Sequence, residues 1–295
     1  QQIYDLSDIV ESIPGMGSSK TVGSGSAYTI RGVGSFGVGA ANTSSVVTAS
    51  NGHSVNDSVF ADIGFYDLES IEVLKGPQGT LSGRNAVQGL VNIVSARPTS
   101  EWGGSFDVAA GNYNSTRSNL MLNMPFSDRV AARLSYSMLE RDGTIENIYT
   151  GNDIDGRDAY GIRLSVDFDI SETTKLEFTH DRSETEDNRQ NIGIIVCEPH
   201  PVFGCNPLER GTFGQSADTR GSTAALFNFI AGLNSTADSN SYAGINALGS
   251  LEKVNINRDP EHRQVFEFTM LELNHDISDE LQLVVKGTYS TRDYY

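Results

Sequence analysis

From Trp102 onward the chain alternates apolar and polar positions in segments of about ten residues, the period of β-strands exposed differently on two faces. Residues 160–170 show it most cleanly. Tyr160, Ile162, Leu164, Val166, Phe168 and Ile170 share one face, and Gly161, Arg163, Ser165, Asp167 and Asp169 share the other. In 132–138, Ala132, Leu134, Tyr136 and Met138 oppose Arg133, Ser135 and Ser137. In 281–290, Leu281, Leu283, Val285 and Tyr289 oppose Gln282, Lys286, Thr288 and Ser290, with Val284 out of phase. Residues 266–275 are less regular, because Leu271 and Leu273 fall with Glu267, and a bulge or register change is expected there. About seven strands follow from this pattern.

The connections alternate as well. Segments 125–128, 169–173 and 276–280 are short turns, whereas 111–116, 142–158 and above all 185–261 are the other connections. Short turns at one end and mostly longer loops at the other describe an up-and-down transmembrane barrel. A soluble sandwich would show the same alternation. The uncharged even face of 160–170 favours the barrel, since a Lys or Arg facing lipid costs about 2–4 kcal/mol near the midplane.

The first 97 residues differ. Ile3, Leu6, Ile9, Val10 and Ile13 have helical spacing and are stopped by Pro14-Gly15, which predicts a short helix. Gly- and Ser-rich loops follow, with short strands at 27–31 and around Val46-Val47. The stretch Asp67 to Arg97 holds two apolar strands, 70–74 and 90–94, joined through Lys75-Gly76-Pro77-Gln78-Gly79 and a second Gly-containing bend at 81–85. It has too little apolar surface for a core of its own, so it is expected to pack inside something else.

Composition narrows the choice. The 295 residues carry 21 Lys+Arg against 38 Asp+Glu, a net charge of −17, which argues against a nucleic-acid partner. No run of about 18 apolar residues predicts a transmembrane helix, a test that does not apply to barrel strands. The chain starts at Gln1 without a charged and then apolar leader, as a processed or partial chain would. Cys197 and Cys205 are close in sequence within the longest loop, and a disulfide is the favoured expectation. A metal site with His200 is the weaker one, lacking a second ligand pair. Phe203, Phe213, Phe227, Phe229 and Tyr242 in that loop are either its own core or solute contacts, and 224–233 is a second candidate helix. Gly32-x-Gly34-x-x-Gly37 matches a dinucleotide fingerprint but lacks helical periodicity after it. The scattered histidines form no catalytic or metal constellation.

Three segments together carry a family resemblance: Thr29-Ile30-Arg31-Gly32-Val33-Gly34; Leu68 to Asn85, LESIEVLKGPQGTLSGRN; and Gly89-Leu90-Val91-Asn92-Ile93-Val94. They strongly resemble the plug domain of TonB-dependent outer-membrane receptors. Gly111-Asn112-Tyr113-Asn114 and Glu140-Arg141-Asp142-Gly143 resemble that family's early barrel more loosely. The resemblance implies a mostly β fold: an α+β plug at 1–98, then the first strands of an antiparallel barrel of about 22 strands over 99–295, with a long extracellular loop at 186–261.

It also implies an importer, not an enzyme, in the outer membrane of a Gram-negative bacterium. Its cargo would be a ferric siderophore or similar scarce nutrient, with neither cofactor nor metal of its own. Its partners would be the TonB–ExbB–ExbD complex, outer-membrane lipid and lipopolysaccharide. A carbohydrate importer, or a surface binding or adhesion protein on the same scaffold, are the alternatives. No TonB-box-like segment stands ahead of Ile3, and only about a third of the implied strands are present, so a piece of a longer protein is expected. The plug motif places Arg31, Gly32, Glu72, Lys75, Gly76, Pro77, Gly79, Gly83, Arg84 and Asn85 on its Gly-rich bends. These charges are expected either to lock against lumen residues such as Arg133, Arg163, Asp167 and Glu177 or simply to be solvated by lumen water. Lys75 replaces the family's usual Arg and Ser82 its usual Tyr. Asn51-Gly52 keeps a turn where the family has an acidic one.

Overall fold

The computed structural model describes residues 10, 13–20, 26–34, 45–55, 65–79, 86–189, 197–200, 204–206, 252–254 and 258–294. Most of the helix expected over 1–14, the bend residues Gly83, Arg84 and Asn85, Gly37, the candidate helix at 224–233 and the aromatic residues of the long loop lie outside them.

The plug begins with a small antiparallel sheet of β1 (Met16–Lys20), β2 (Ser26–Ile30) and β3 (Val33–Gly34). Arg31 and Gly32 join β2 to β3 with φ of 57° and 76°, the two positive values of a tight hairpin turn. Gly32 of the glycine fingerprint thus sits in a hairpin turn and Gly34 pairs in β3.

A four-stranded sheet follows, built from β4 (Val46–Ser50), β5 (His53–Val55), β6 (Leu68–Lys75) and β7 (Gly89–Ser95) in the order β5-β4-β7-β6. Asn51 and Gly52 turn β4 into β5 with φ of 50° and 80°. The two strands expected within 67–97 are the antiparallel neighbours β6 and β7. Strand β4 runs parallel to β7 and is buried on both faces. Val46 joins Tyr28, Ile30 and Val91 in one cluster, while Val47 and Ala49 join Ala86 and Leu90 in another.

Seven long strands form a third sheet: β8 (Gly103–Ala110), β9 (Thr116–Ser127), β10 (Val130–Arg141), β13 (Arg157–Ser171), β14 (Thr174–Asp187), β18 (His262–Ser278) and β19 (Leu281–Tyr294). Each pairs with the next, an up-and-down meander. Its polarity is inverted relative to a soluble protein. Along β13, Arg163, Ser165 and Asp167 are 7%, 2% and 8% exposed, whereas Ile162, Leu164 and Phe168 are 38%, 37% and 40% exposed. Apolar residues out and polar residues in is the pattern of a barrel whose solvent is lipid, and it removes the sandwich alternative.

Strand β18 pairs continuously with β19 from Gln264 to Asp276, so residues 266–275 hold no bulge. The irregular sequence has another cause. Phe266, Phe268 and Met270 point inward onto Val55 of the plug, so the inward face is apolar for that stretch.

A second compact unit comprises Arg141–Arg157 and Asp187–Glu261. Here β11 (Ile145–Asn147) pairs with β12 (Asn152–Ile154) and with β17 (Lys253–Val254). Asn147, Thr150 and Asn152 all donate to the Asp259 carboxylate, at 2.7, 2.7 and 2.6 Å, and fix the hairpin tip. Strands β15 (Cys197–His200) and β16 (Gly204–Asn206) form a hairpin whose register sets Cys205 opposite Pro199 and Cys197 opposite Asn206. The side chains of both cysteines lie outside what the structure describes.

Candidate functional site

The plug meets the barrel wall chiefly at one end of its central hairpin. Phe65, Tyr66 and Asp67 lead into β6, and Ala96 and Arg97 leave β7. Leu68 and Ser95 are paired partners, and the Ala96 N–H donates to the Asp67 carbonyl at 3.1 Å, so both segments emerge side by side. Asp67 takes a φ of 47°, a left-handed conformation that Asp tolerates better than most residues. That turn aims its carboxylate at β10.

Two ionic clusters result. In the first, Arg133 grips the Asp67 carboxylate with two hydrogen bonds, one from Nε at 2.7 Å, and the Ser135 hydroxyl donates a third. Arg163 on β13 donates Nε to Asp181 on β14 at 2.8 Å and Nη1 to the Tyr66 and Asp67 carbonyls at 3.3 and 3.4 Å. Its guanidinium carbon lies 4.5 Å from the centre of the Tyr66 ring, and the Tyr66 hydroxyl donates to Asp181 at 3.2 Å. Gly161 makes room for that ring: a Cβ there would sit 3.0 Å from Tyr66 Cε1 and Oη. Burial, reinforced by the Asp181 charge, pushes the Tyr66 phenol far above its ordinary value. Burial alone would raise the Asp67 carboxyl, but the bonds from Arg133 and Ser135 outweigh it and hold the acid below its usual range.

In the second cluster Arg97 pairs with Asp167, donates to Thr179 at 3.1 Å and lies 3.4 Å from Glu177. Lys175 completes it, 2.9 Å from both Asp167 and Glu177. Each cluster joins two cations to two anions, so each is neutral. The plug supplies an anion to one, Asp67, and a cation to the other, Arg97.

Smaller seats lie around them. Arg117 on β9 donates to the Phe65 carbonyl at 3.0 Å. The Asn123 amide bonds the Thr99 and Glu101 carbonyls at 3.0 and 2.5 Å, tying the segment after the plug to β9. On the opposite flank of the plug, His53 lies within the field of the Glu272–Lys286 pair of β18 and β19. Burial and Lys286 lower its imidazole pKa, Glu272 opposing them.

The four lumen residues named from sequence, Arg133, Arg163, Asp167 and Glu177, all contact the plug or the segment leaving it. The plug residues named with them sit elsewhere. Lys75 donates to the Pro14 carbonyl at 2.8 Å, and Glu72 accepts from Asn92 at 2.9 Å, both within the plug. Asn92 Oδ1 also accepts from the Gly52 N–H at 2.8 Å, so Glu72 and Asn92 brace the β4–β5 turn against β6. Arg31 and Gly32 form the β2–β3 turn, and Gly76, Pro77 and Gly79 lie in the bend after β6. Tyr66, Asp67, Arg97, Gly161 and Asp181 are not among the site residues expected from sequence. One signal was present: Asp67 and Arg97 are the charged ends of the stretch that needed an enclosure, and Gly161 is the one glycine among otherwise well-filled barrel positions in 157–171.

Residues 1–90 match the family model described as TonB-dependent Receptor Plug Domain. The chain is 36% identical over 102 residues to the pesticin receptor of Yersinia enterocolitica, covering 34% of this chain and 14% of that protein. It is 25% identical over 229 residues to the catecholate siderophore receptor Fiu of Escherichia coli, covering 78% of this chain and 28% of that one. In fold it is similar to the ferric yersiniabactin uptake receptor FyuA of Yersinia pestis. The TM-score is 0.72 at 19% identity, over 98% of this chain and 38% of that structure. The chain thus spans between about a seventh and two fifths of the proteins it matches. Residues 1–90 thus carry a TonB-dependent receptor plug domain, and the inverted seven-stranded sheet that follows, with its plug–wall contacts, resembles in fold part of the barrel of such outer-membrane receptors.

Proposed function

We propose that the protein to which this chain belongs imports a scarce solute by displacing its plug, and that the solute is a ferric siderophore. The observation that carries the reading is the chemistry of the seat. Around Asp67 and Arg97 the plug is held by ion pairs and hydrogen bonds, groups that water can satisfy once the plug shifts. The relatives' names, siderophore and pesticin receptors, support the solute class. The outer membrane holds no nucleotide supply, so the work of displacement comes from a partner, the TonB–ExbB–ExbD complex. Outer-membrane lipid and lipopolysaccharide surround the apolar outer face.

Uptake of a radiolabelled ferric siderophore by iron-starved cells expressing the whole receptor tests this. Uptake is expected, and it should vanish when TonB is deleted. Solute binding without TonB-dependent uptake would favour a surface receptor or adhesion role instead.

A further inference from the structure

The first cluster is asymmetric in what its members keep when the plug moves. Arg163 retains Asp181, its partner on the neighbouring strand. Arg133 and Ser135 have Asp67 as the shared acceptor of their hydrogen bonds, and Asp67 belongs to the plug. Once Asp67 leaves, Arg133, Arg163 and Asp181 sum to one net positive charge. A guanidinium fork and a hydroxyl then face the lumen side by side, the geometry that receives a carboxylate with two parallel bonds. Arg133 and Ser135 alternate on β10, so a strand, not a loop, holds both at fixed spacing.

We propose that Arg133 and Ser135, with Arg163 beside them, form a carboxylate-binding site on the lumen wall that the plug's Asp67 occupies in the closed state. In this arrangement Asp67 is an internal ligand. Displacing the plug and exposing a docking point for an anionic solute are the same event, and the site lies on the path that the plug vacates. The site's use in transport rests on the import reading above. Its existence does not.

The test uses the full-length receptor reconstituted in outer-membrane vesicles. Asp67→Ala empties the fork while leaving Arg133 and Ser135 in place. Protease cleavage of the plug is then followed while sodium formate is titrated against sodium chloride of equal ionic strength. The substitution is expected to speed cleavage by about tenfold or more, since it strands a partly buried charge. Formate should reverse most of that rise in a saturable way and chloride should not. In the Asp67→Ala/Arg133→Gln double variant the formate effect should disappear. Equal responses to formate and chloride, or an undiminished formate effect in the double variant, would overturn the site. If Asp67→Ala does not assemble, the same titration on Asp67→Gly, which also empties the fork and suits the positive φ at 67, carries the same two outcomes. Loss of TonB-dependent uptake in the wild type would strike at the import reading alone and leave the formate result standing.

Discussion

Gly161 offers the sharpest separation between what a barrel strand wants and what the plug requires. Within an isolated strand, replacing this glycine should help, by about 0.5–1 kcal/mol of backbone entropy. In this receptor it should harm. A Cβ at 161 would stand 3.0 Å from Tyr66 Cε1 and Oη and 3.2 Å from Cζ, inside ordinary contact distance. The ring cannot slide freely. Arg163 stacks 4.5 Å from its centre, and its hydroxyl is bonded to Asp181 at 3.2 Å. Overpacking of this kind costs about 1–3 kcal/mol. If the ring lifts, the hydrogen bond to a carboxylate adds about 1.5–3 kcal/mol. The loss outweighs the strand's gain, with Gly161→Val worse than Gly161→Ala.

The assay is protease sensitivity of the plug in the full receptor, read as the fraction of time the plug is unseated. A net cost of about 2 kcal/mol raises that fraction roughly thirtyfold. The control is a cycle with Tyr66→Ala, which removes the ring that Gly161 accommodates. In that background Gly161→Ala should be neutral or slightly stabilising. If it costs as much there as in the wild type, Tyr66 is not what the glycine serves, and the account of this contact is wrong.

Other expectations follow from the same contacts. Asp67 has a depressed carboxyl pKa when docked, so its contribution is full above the ordinary value of 3.8 and is lost as pH falls through the docked value. Plug protection should therefore drop in that acid range, with a smaller drop in Asp67→Asn. His53 titrates below its ordinary 6.5 when docked, so its neutral form is favoured there and stability declines as pH falls from about that value. In His53→Gln the decline below about pH 6.5 should flatten, and an unchanged profile would remove His53 from the interface. Arg97→Gln should loosen the plug by about 1–3 kcal/mol, because Asp167 and Glu177 are left sharing Lys175. Arg97→Lys should recover only part of that in the same protease assay, since Lys lacks the fork.

The barrel was legible because its solvent imposes a strict rule. Lipid outside and a polar plug inside force period-two alternation, and the inward residues of 132–138 and 160–170 could be named from sequence. The rule failed at Phe266, Phe268 and Met270, where the wall meets the apolar Val55 and inward positions turn apolar. Alternation records what each face touches, and only the long-range fold says that Val55 arrives there. The plug's half of the interface was harder. Lys75 and Glu72 sit in a conspicuous motif, yet their bonds are to Pro14 and Asn92 and brace the plug itself. Asp67 and Arg97 sit at strand ends, where a charge ordinarily means solvent. What makes them interfacial is the pairing of Leu68 with Ser95, which brings residues thirty apart in sequence to one edge facing β10, β13 and β14.

Under the import proposed above, that placement has an energetic consequence for a plug that is displaced. An apolar seat would expose its whole matched area to water on opening, at about 25 cal/mol per Å² with no compensation. An ionic seat behaves differently. Breaking a buried pair is costly chiefly when the abandoned charge stays dry. Here the departing plug itself floods the wall, so Arg133, Asp167 and Glu177 regain hydration as they lose Asp67 and Arg97. The barrier then lies early, while the clusters are broken but not yet wet. A pull applied along the chain has to overcome a short, steep resistance and not a long one. The apolar contact of Val55 with Phe266, Phe268 and Met270 is small enough not to reverse this balance. Removing part of it, for example by Val55→Ala, should weaken equilibrium docking at least as much as it speeds release, as the protease assay and a release time course would show together.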